Sequence, residues 1–141
     1  MQNLQATIDE GNAFLCTLSS VAAWRLIGSA QYLPADQVND VDFAVLLQSE
    51  LDPARYATNL QDTGWGKCSE YDQTTGLWFA VRRGDLNLML TSDPGFYEKY
   101  LLAMEVCQGL RLAEKAQRVA VCAIVRDGLS AAEARNRAGL F

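Results

Sequence analysis

The hydrophobic positions in the first third of the chain change from a helical to an extended period. Within residues 13–26, apolar side chains recur three or four positions apart, which predicts a helix: Phe14, Leu18, Val21, Ala22 and Leu26. The end of this segment, residues 24–27, also fits a strand that stops at Gly28. Residues 28–39 are rich in turn-forming residues and predict a loop. The apolar, β-branched run at 41–47 predicts a strand.

Turn signals divide the middle of the chain. Asp52 is predicted to cap a helix whose first turn contains Pro53 and which continues through Leu60. Alternating polar and apolar residues then predict a meander of three short strands with a tight reversal at Gly84-Asp85. These strands span residues 67–71, 77–83 and 86–91.

Helical periodicity dominates the chain from residue 92 onward. Asp93 followed by proline is a helix start signal, and Gly109 is predicted to end that helix. One apolar face of it is formed by Phe96, Tyr100, Ala103, Met104 and Cys107. A second helix is predicted over about 112–127, before Gly128, and a short third helix starts at Ser130.

This order of elements predicts one α+β domain over residues 1–141. Residues 1–91 would form a mixed β-sheet with flanking helices, and residues 92–141 would form helices packed on that core. The sequence contains no repeat and no linker, and no apolar run reaches the roughly 18 residues that a membrane span needs. No secretion signal is visible at the N-terminus, so a cytoplasmic location is expected.

Composition excludes several kinds of chemistry. The chain has no histidine, which removes Ser-His and Cys-His catalysis and histidine-ligated zinc. Its 17 acidic and 12 basic residues give a net charge of -5, which argues against extensive nonspecific DNA binding. None of the four cysteines forms a C-x-x-C pair, and their apolar neighbours indicate reduced thiols.

The residues with candidate catalytic or binding chemistry lie around the predicted loop 28–39 and the start of the strand that follows it. Asp40 and Asp42 are two residues apart on a strand, so their side chains share one face, where two carboxylates suit a divalent cation. Gly28 allows close approach of the backbone, and Ser29 adds a hydroxyl, so both are candidates for binding phosphate. The alternative is that Gly28-Ser29 is an ordinary turn, Asp40 a strand-edge residue and Asp42 solvent-facing.

This segment resembles the nucleotidyltransferase superfamily of the polymerase-β type. The shared pattern is an apolar residue, Gly-Ser, a spacer of about ten residues, and Asp-x-Asp between apolar positions. The resemblance implies a minimal nucleotidyltransferase fold in which Ser29 contacts the triphosphate of an NTP and Asp40 and Asp42 hold Mg²⁺, in a site compatible with two ions. Residues 86–97 and 114–119 also resemble small nucleotidyltransferase-like proteins of bacteriophages, which would place the protein in a bacterial host cytoplasm.

The sequence departs from this superfamily at the third carboxylate, which active members place on a later strand. Asn87 stands at the expected position, and Asp85 lies two residues earlier. Asn can ligate Mg²⁺ through its oxygen but cannot act as a base. Asp85 is alternatively a hairpin residue. Arg82 and Arg83 point to opposite faces of a strand, so at most one, assigned to Arg82, is expected to reach phosphate.

Two functions are therefore predicted. The first is Mg²⁺-dependent transfer of a nucleotidyl group from an NTP to an acceptor hydroxyl, with Asp40, Asp42, Asp85 and Asn87 as catalytic candidates and Gly28, Ser29 and Arg82 contacting substrate. The second is a fold that has lost catalysis and acts as a phage protein that binds and inhibits a host defence factor. Carboxylates that converge in a concave pocket would favour the enzyme, whereas an acidic face elsewhere would favour the inhibitor.

Overall fold

The computed structural model describes residues 1–67 and 78–126, with the side chains of 123–126 excepted. The predicted strand 67–71 is therefore described only at its start, and the predicted third helix lies outside the described residues. The described helices are α1 (Leu4–Cys16), α2 (Pro53–Gln61), α3 (Pro94–Leu110) and α4 (Lys115–Arg126). The strands are β1 (Val21–Ile27), β2 (Val41–Leu47), β3 (Gly66–Lys67), β4 (Phe79–Arg83) and β5 (Leu86–Thr91).

These strands form one mixed sheet with the order β1-β2-β5-β4-β3. β2 and β5 are parallel, and the other neighbouring pairs are antiparallel. The predicted α+β class, with a mixed sheet and flanking helices, is confirmed. The parallel pair brings the start of β5 beside the start of β2, although about forty residues separate them in sequence.

Helices cover both faces of the sheet. α1 and α2 pack on the face formed by the odd-numbered residues of β2 and the leucines of β5, which include Phe43 and Leu88. α3 and α4 pack on the opposite face, against residues such as Ala44 and Met89. Because side chains alternate along a strand, Asp42 and Asn87 belong to the α3/α4 face, beyond the edge of its apolar cluster.

The predicted starts of two helices are confirmed at the level of the capping bond. The Asp52 carboxylate accepts a hydrogen bond from Ala54 N at 3.0 Å, and Pro53 occupies the first turn. The Asp93 carboxylate accepts one from Phe96 N at 3.0 Å, again before a proline. Each cap satisfies a backbone N–H that has no partner within its helix.

The prediction for the N-terminal region was wrong for the extent of the helix, whereas the strand that stops at Gly28 is present. The first helix starts at Leu4 and ends at Cys16, and residues 21–27 form β1, which pairs along its length with β2. The helix docks through Gly11, where an added Cβ would lie 2.4 Å from the Phe43 ring. Weak amphipathic patterning in residues 1–11 concealed this contact, because a glycine carries no hydrophobic signal.

The boundaries between the last two helices were also wrong. α3 continues past Gly109 to Leu110, and Arg111 takes the left-handed conformation that ends it, with φ of 50°. α4 starts only at Lys115. Leu112 lies in the connection between the two helices, where its side chain is buried and its carbonyl accepts a hydrogen bond from the Tyr32 hydroxyl at 2.6 Å. The predicted loop 28–39 contains two short 3₁₀ turns.

None of the helices within the described ranges is long and apolar enough to cross a membrane.

Candidate functional site

A row of paired residues crosses the sheet at the end where β1 stops and β2 and β5 begin. Asp42 pairs with Ile27 on one side and with Asn87 on the other, and Asn87 pairs with Arg82 on β4. Residues paired across a sheet point to the same face. Asp42, Asn87 and Arg82 therefore form a continuous polar row on the face that α3 and α4 cover.

The carboxylates of Asp40 and Asp42, here called the acidic pair, meet at one amide. Asn87 Nδ2 donates to Asp40 Oδ2 at 3.2 Å and to Asp42 Oδ1 at 2.8 Å. Asn87 is only 2% exposed, whereas the Asp40 side chain is 23% exposed. The alternation along β2 thus places both carboxylates together as predicted, and the parallel pairing supplies Asn87 between them.

Gly28 lies directly against the acidic pair. Its φ of 77° is in the left-handed region that favours glycine. A Cβ at this position would lie 3.0 Å from Asp42 Oδ2, so the residue is small for steric as well as conformational reasons. Ser29 follows, nearly buried, and its carbonyl accepts hydrogen bonds from Tyr32 N and Leu33 N. Both residues line the cleft described below.

The two arginines of β4 diverge as predicted. The Arg82 guanidinium is 3.8 Å from Asp40 Oδ2 and 3.9 Å from Asp85 Oδ1, and its Nε donates to the Gly84 carbonyl. Arg83 points to the other face, where its guanidinium stacks 4.5 Å from the Trp65 ring. Arg82 is therefore the arginine at the acidic pair.

Asp85 occupies the reversal between β4 and β5. Its side chain is 60% exposed, and its carbonyl accepts a hydrogen bond from Val41 N at 2.8 Å. The carboxylate contacts Arg82 rather than Asn87. Asp85 is linked to the acidic pair through that arginine, and its assignment as a catalytic candidate stays a prediction.

A cleft of about 720 Å³ opens between the acidic pair and the two C-terminal helices. Its floor includes Gly28, Ser29 and the acidic pair, and its opposite wall carries three basic residues, Lys99, Lys115 and Arg118. Arg118 is partly engaged, since Nη1 donates to the carbonyls of Leu112 and Ala113. Carboxylates on one side of the cleft therefore face basic side chains on the other, across a space that a small polyanion could enter.

Aromatic and apolar residues complete the wall between these charges. Trp78, Phe96, Tyr100 and Met104 line it. Burial raises the pKa of the Tyr100 hydroxyl well above its ordinary value, and the charges of Cys122 and Asp42 raise it further. The hydroxyl therefore stays protonated at neutral pH and can donate a hydrogen bond. Trp78 and Tyr97 are buried in the core.

The residues at the acidic pair suit a hard cation only in part. Among the described residues, no three acidic, cysteine or histidine side chains cluster closely enough to hold a metal ion. Two carboxylates nevertheless converge on the Asn87 amide; its Nδ2 faces them, and its Oδ1 is buried without a hydrogen-bond partner among the described residues. Two carboxylate oxygens and an amide oxygen are ligands that Mg²⁺ accepts, with substrate phosphates and water as the remainder.

Sequence reasoning located the floor of the site better than its walls. Lys99, Lys115 and Arg118 line the cleft, although they belong to none of the motifs that identified its floor. Lys67 lies on the edge strand β3 and is absent from the lining. Asn39 and Gln37 line the cleft without having been anticipated. Only the position of Asn39 next to Asp40 gave any signal for it.

Comparison with known proteins adds little to this geometry. No family model matches the chain, and no curated protein matches it. Among solved structures, the crystal structure of conserved protein GrpB from Enterococcus faecalis aligns with 95% of this chain and 93% of its own. The TM-score is 0.47 and the sequence identity 13%, a likeness that carries no functional information.

Proposed function

We propose that this protein is a Mg²⁺-dependent nucleotidyltransferase that binds an NTP in the cleft between the sheet and the C-terminal helices. The observation that carries the proposal is the convergence of Asp40 and Asp42 at the floor of a cleft whose opposite wall is basic. An acidic face exposed elsewhere would instead have favoured the inhibitor of a host defence factor.

The groups that would bind a triphosphate lie on both sides of the cleft. Asp40 and Asp42 would hold Mg²⁺ beside the Asn87 amide, and the bound ion would neutralise phosphate charge and lower the pKa of an acceptor hydroxyl. Lys99 and Lys115 would contact phosphate oxygens from α3 and α4. Gly28 leaves room for the substrate beside the acidic pair, and the Ser29 hydroxyl would orient a phosphate.

The reaction would be an in-line displacement at the α-phosphorus. The acceptor oxygen forms a bond to that phosphorus, the bond to the bridging α–β oxygen breaks, and pyrophosphate leaves. The acceptor proton must pass to a base. Asn87 cannot take it, so the proton would go to an acidic-pair carboxylate or to water. Positioning of the two substrates would supply most of the remaining rate enhancement.

The first experiment is calorimetric titration of each of the four common NTPs in the presence of Mg²⁺. Binding by the natural protein and its loss in Asp40→Ala/Asp42→Ala would support the proposal. The matched control is Asp9→Ala/Asp62→Ala, which removes the same charge from two exposed carboxylates on the α1 and α2 helical side. This control should bind like the natural protein, because net charge alone has a small effect. Absence of binding by the folded natural protein would refute the proposal.

Transfer itself is tested with an NTP labelled at the α-phosphate. Label that moves to a hydroxyl acceptor, with release of one pyrophosphate for each transfer, would identify the reaction. Binding without transfer to any acceptor would favour a protein of this fold that has lost catalysis and still binds nucleotide. Asn87 in place of a third carboxylate is the observation that supports this candidate.

A further inference from the structure

The two ends of the Asn87 amide have unequal surroundings. Nδ2 donates to both carboxylates of the acidic pair. Oδ1 is buried and has no hydrogen-bond partner within the described part of the chain. An amide nitrogen carries two donor hydrogens, and here both are directed at negatively charged oxygens.

This orientation is the one that electrostatics requires when no cation is present. Two neighbouring carboxylates repel each other, and the N–H dipoles of Asn87 reduce that repulsion as a cation would. Turning the amide over would direct its oxygen at the carboxylates and add to the repulsion. Arg82, 3.8 Å from Asp40, adds a positive charge beside the acidic pair.

A divalent cation at the acidic pair reverses the preference. The ion repels the N–H₂ group and attracts the amide oxygen, which is a good ligand for Mg²⁺. A half turn about the Cβ–Cγ bond exchanges the two atoms within almost the same volume, and this torsion is soft and nearly two-fold in asparagine.

We propose that Asn87 is a switching ligand: its nitrogen holds the acidic pair together in the metal-free protein, and its oxygen replaces the nitrogen when a divalent cation binds. The inference rests on the cation site of the proposed function. Asn87, which replaces the usual third carboxylate, would then have a role of its own. It would reduce the repulsion within the acidic pair when no cation is bound, and it would supply the third oxygen ligand when a cation binds.

Nuclear magnetic resonance of the natural protein tests this with Mg²⁺ alone. The carboxyl carbons of Asp40 and Asp42 report cation binding, and the side-chain N–H₂ group of Asn87 reports the exchange. The N–H₂ group of Asn12 is an internal control, because its Oδ1 accepts a hydrogen bond from Trp24 Nε1 far from the acidic pair. We expect saturating Mg²⁺ to shift the carboxyl signals, to move the Asn87 protons upfield as they lose charged acceptors, and to leave Asn12 unchanged.

The outcomes separate the two proposals. If the carboxyl signals shift while the Asn87 protons keep their hydrogen-bonded positions, the cation site stands and the switching role is wrong. If Mg²⁺ leaves the carboxyl signals unmoved at every concentration, both the switch and the cation site of the proposed function are wrong. If the amide exchanges but no NTP binds to the Mg²⁺-loaded protein, the switch stands and only the nucleotidyltransferase proposal fails.

Discussion

Replacing Asn87 with Asp makes the electrostatic role of this residue measurable. Asn87→Asp keeps the shape of the side chain but removes both hydrogen bonds to the acidic pair and adds a third carboxylate. A hydrogen bond to a charged acceptor contributes about 1.5–3 kcal/mol, so the loss of two without a cation would cost about 3–6 kcal/mol. The lower end of this range, about 3 kcal/mol, is the expected loss of stability.

Thermal unfolding is the assay, with and without Mg²⁺. For a chain of this size, 3 kcal/mol corresponds to a fall in Tm of about 10 °C in EDTA. The added carboxylate should tighten cation binding, and free Mg²⁺ at 100 times its Kd would recover about 2.7 kcal/mol. Asn87→Asp should therefore show a much larger Mg²⁺-dependent rise in Tm than the natural protein. The added base should also speed nucleotidyl transfer.

The exchange of the two interacting groups is the control. Asn87→Asp/Asp42→Asn restores two carboxylates and one amide across the same pair of strands, which are in register at these positions. It should regain most of the stability lost in EDTA, since neighbouring residues couple strongly. A Tm of Asn87→Asp equal to that of the natural protein in EDTA, or a loss that Mg²⁺ does not change, would refute the reasoning.

Three further changes test other contacts. Gly28→Ala should lower Tm and weaken Mg-NTP binding, because its Cβ would lie 3.0 Å from a carboxylate of the acidic pair; Gly84→Ala, with φ of 59° and open space, should affect Tm alone. Gly11→Ala should destabilise by about 1–3 kcal/mol in urea denaturation, because its Cβ would lie 2.4 Å from Phe43, and no loss would show that α1 can move away. Burial raises the pKa of Cys107 from its ordinary value of 9.0 to about 11. The stability it contributes is complete below pH 9 and should fall by about 2 kcal/mol as the pH rises to 11, a slope that Cys107→Ala should reduce.

Local sequence signals predicted the structure correctly where residues close in sequence determine the geometry. The helix starts at Asp52 and Asp93 follow from a capping carboxylate and a proline, and both are present. β2 was identified from its β-branched run, and the shared face of Asp40 and Asp42 follows from strand alternation. In each case the responsible atoms lie within a few residues of one another.

The same signals failed where long-range packing decides. Residues 21–23 continue the helical spacing of apolar side chains but belong to β1, because pairing with β2 satisfies the backbone groups of this strand in the sheet. α1 packs on the sheet where Gly11 fits against Phe43, a contact between residues 32 positions apart in sequence. Local patterns in the sequence do not indicate such a contact.

The site shows the same division, and this bears on how its function can be tested. Asn87 was singled out because a polar residue in a strand is unusual, yet only the parallel pairing of β2 and β5 reveals that its nitrogen contacts both carboxylates. The basic wall likewise exists only because α3 and α4 fold back over the sheet, which brings Lys99 and Lys115 opposite Asp42. A substitution in the acidic pair alone therefore tests the cation. Lys99→Ala should weaken triphosphate binding while leaving the response of the Asp40 and Asp42 carboxyl signals to Mg²⁺ intact, and a simultaneous loss of both would show that the two walls do not act as separate parts of one site.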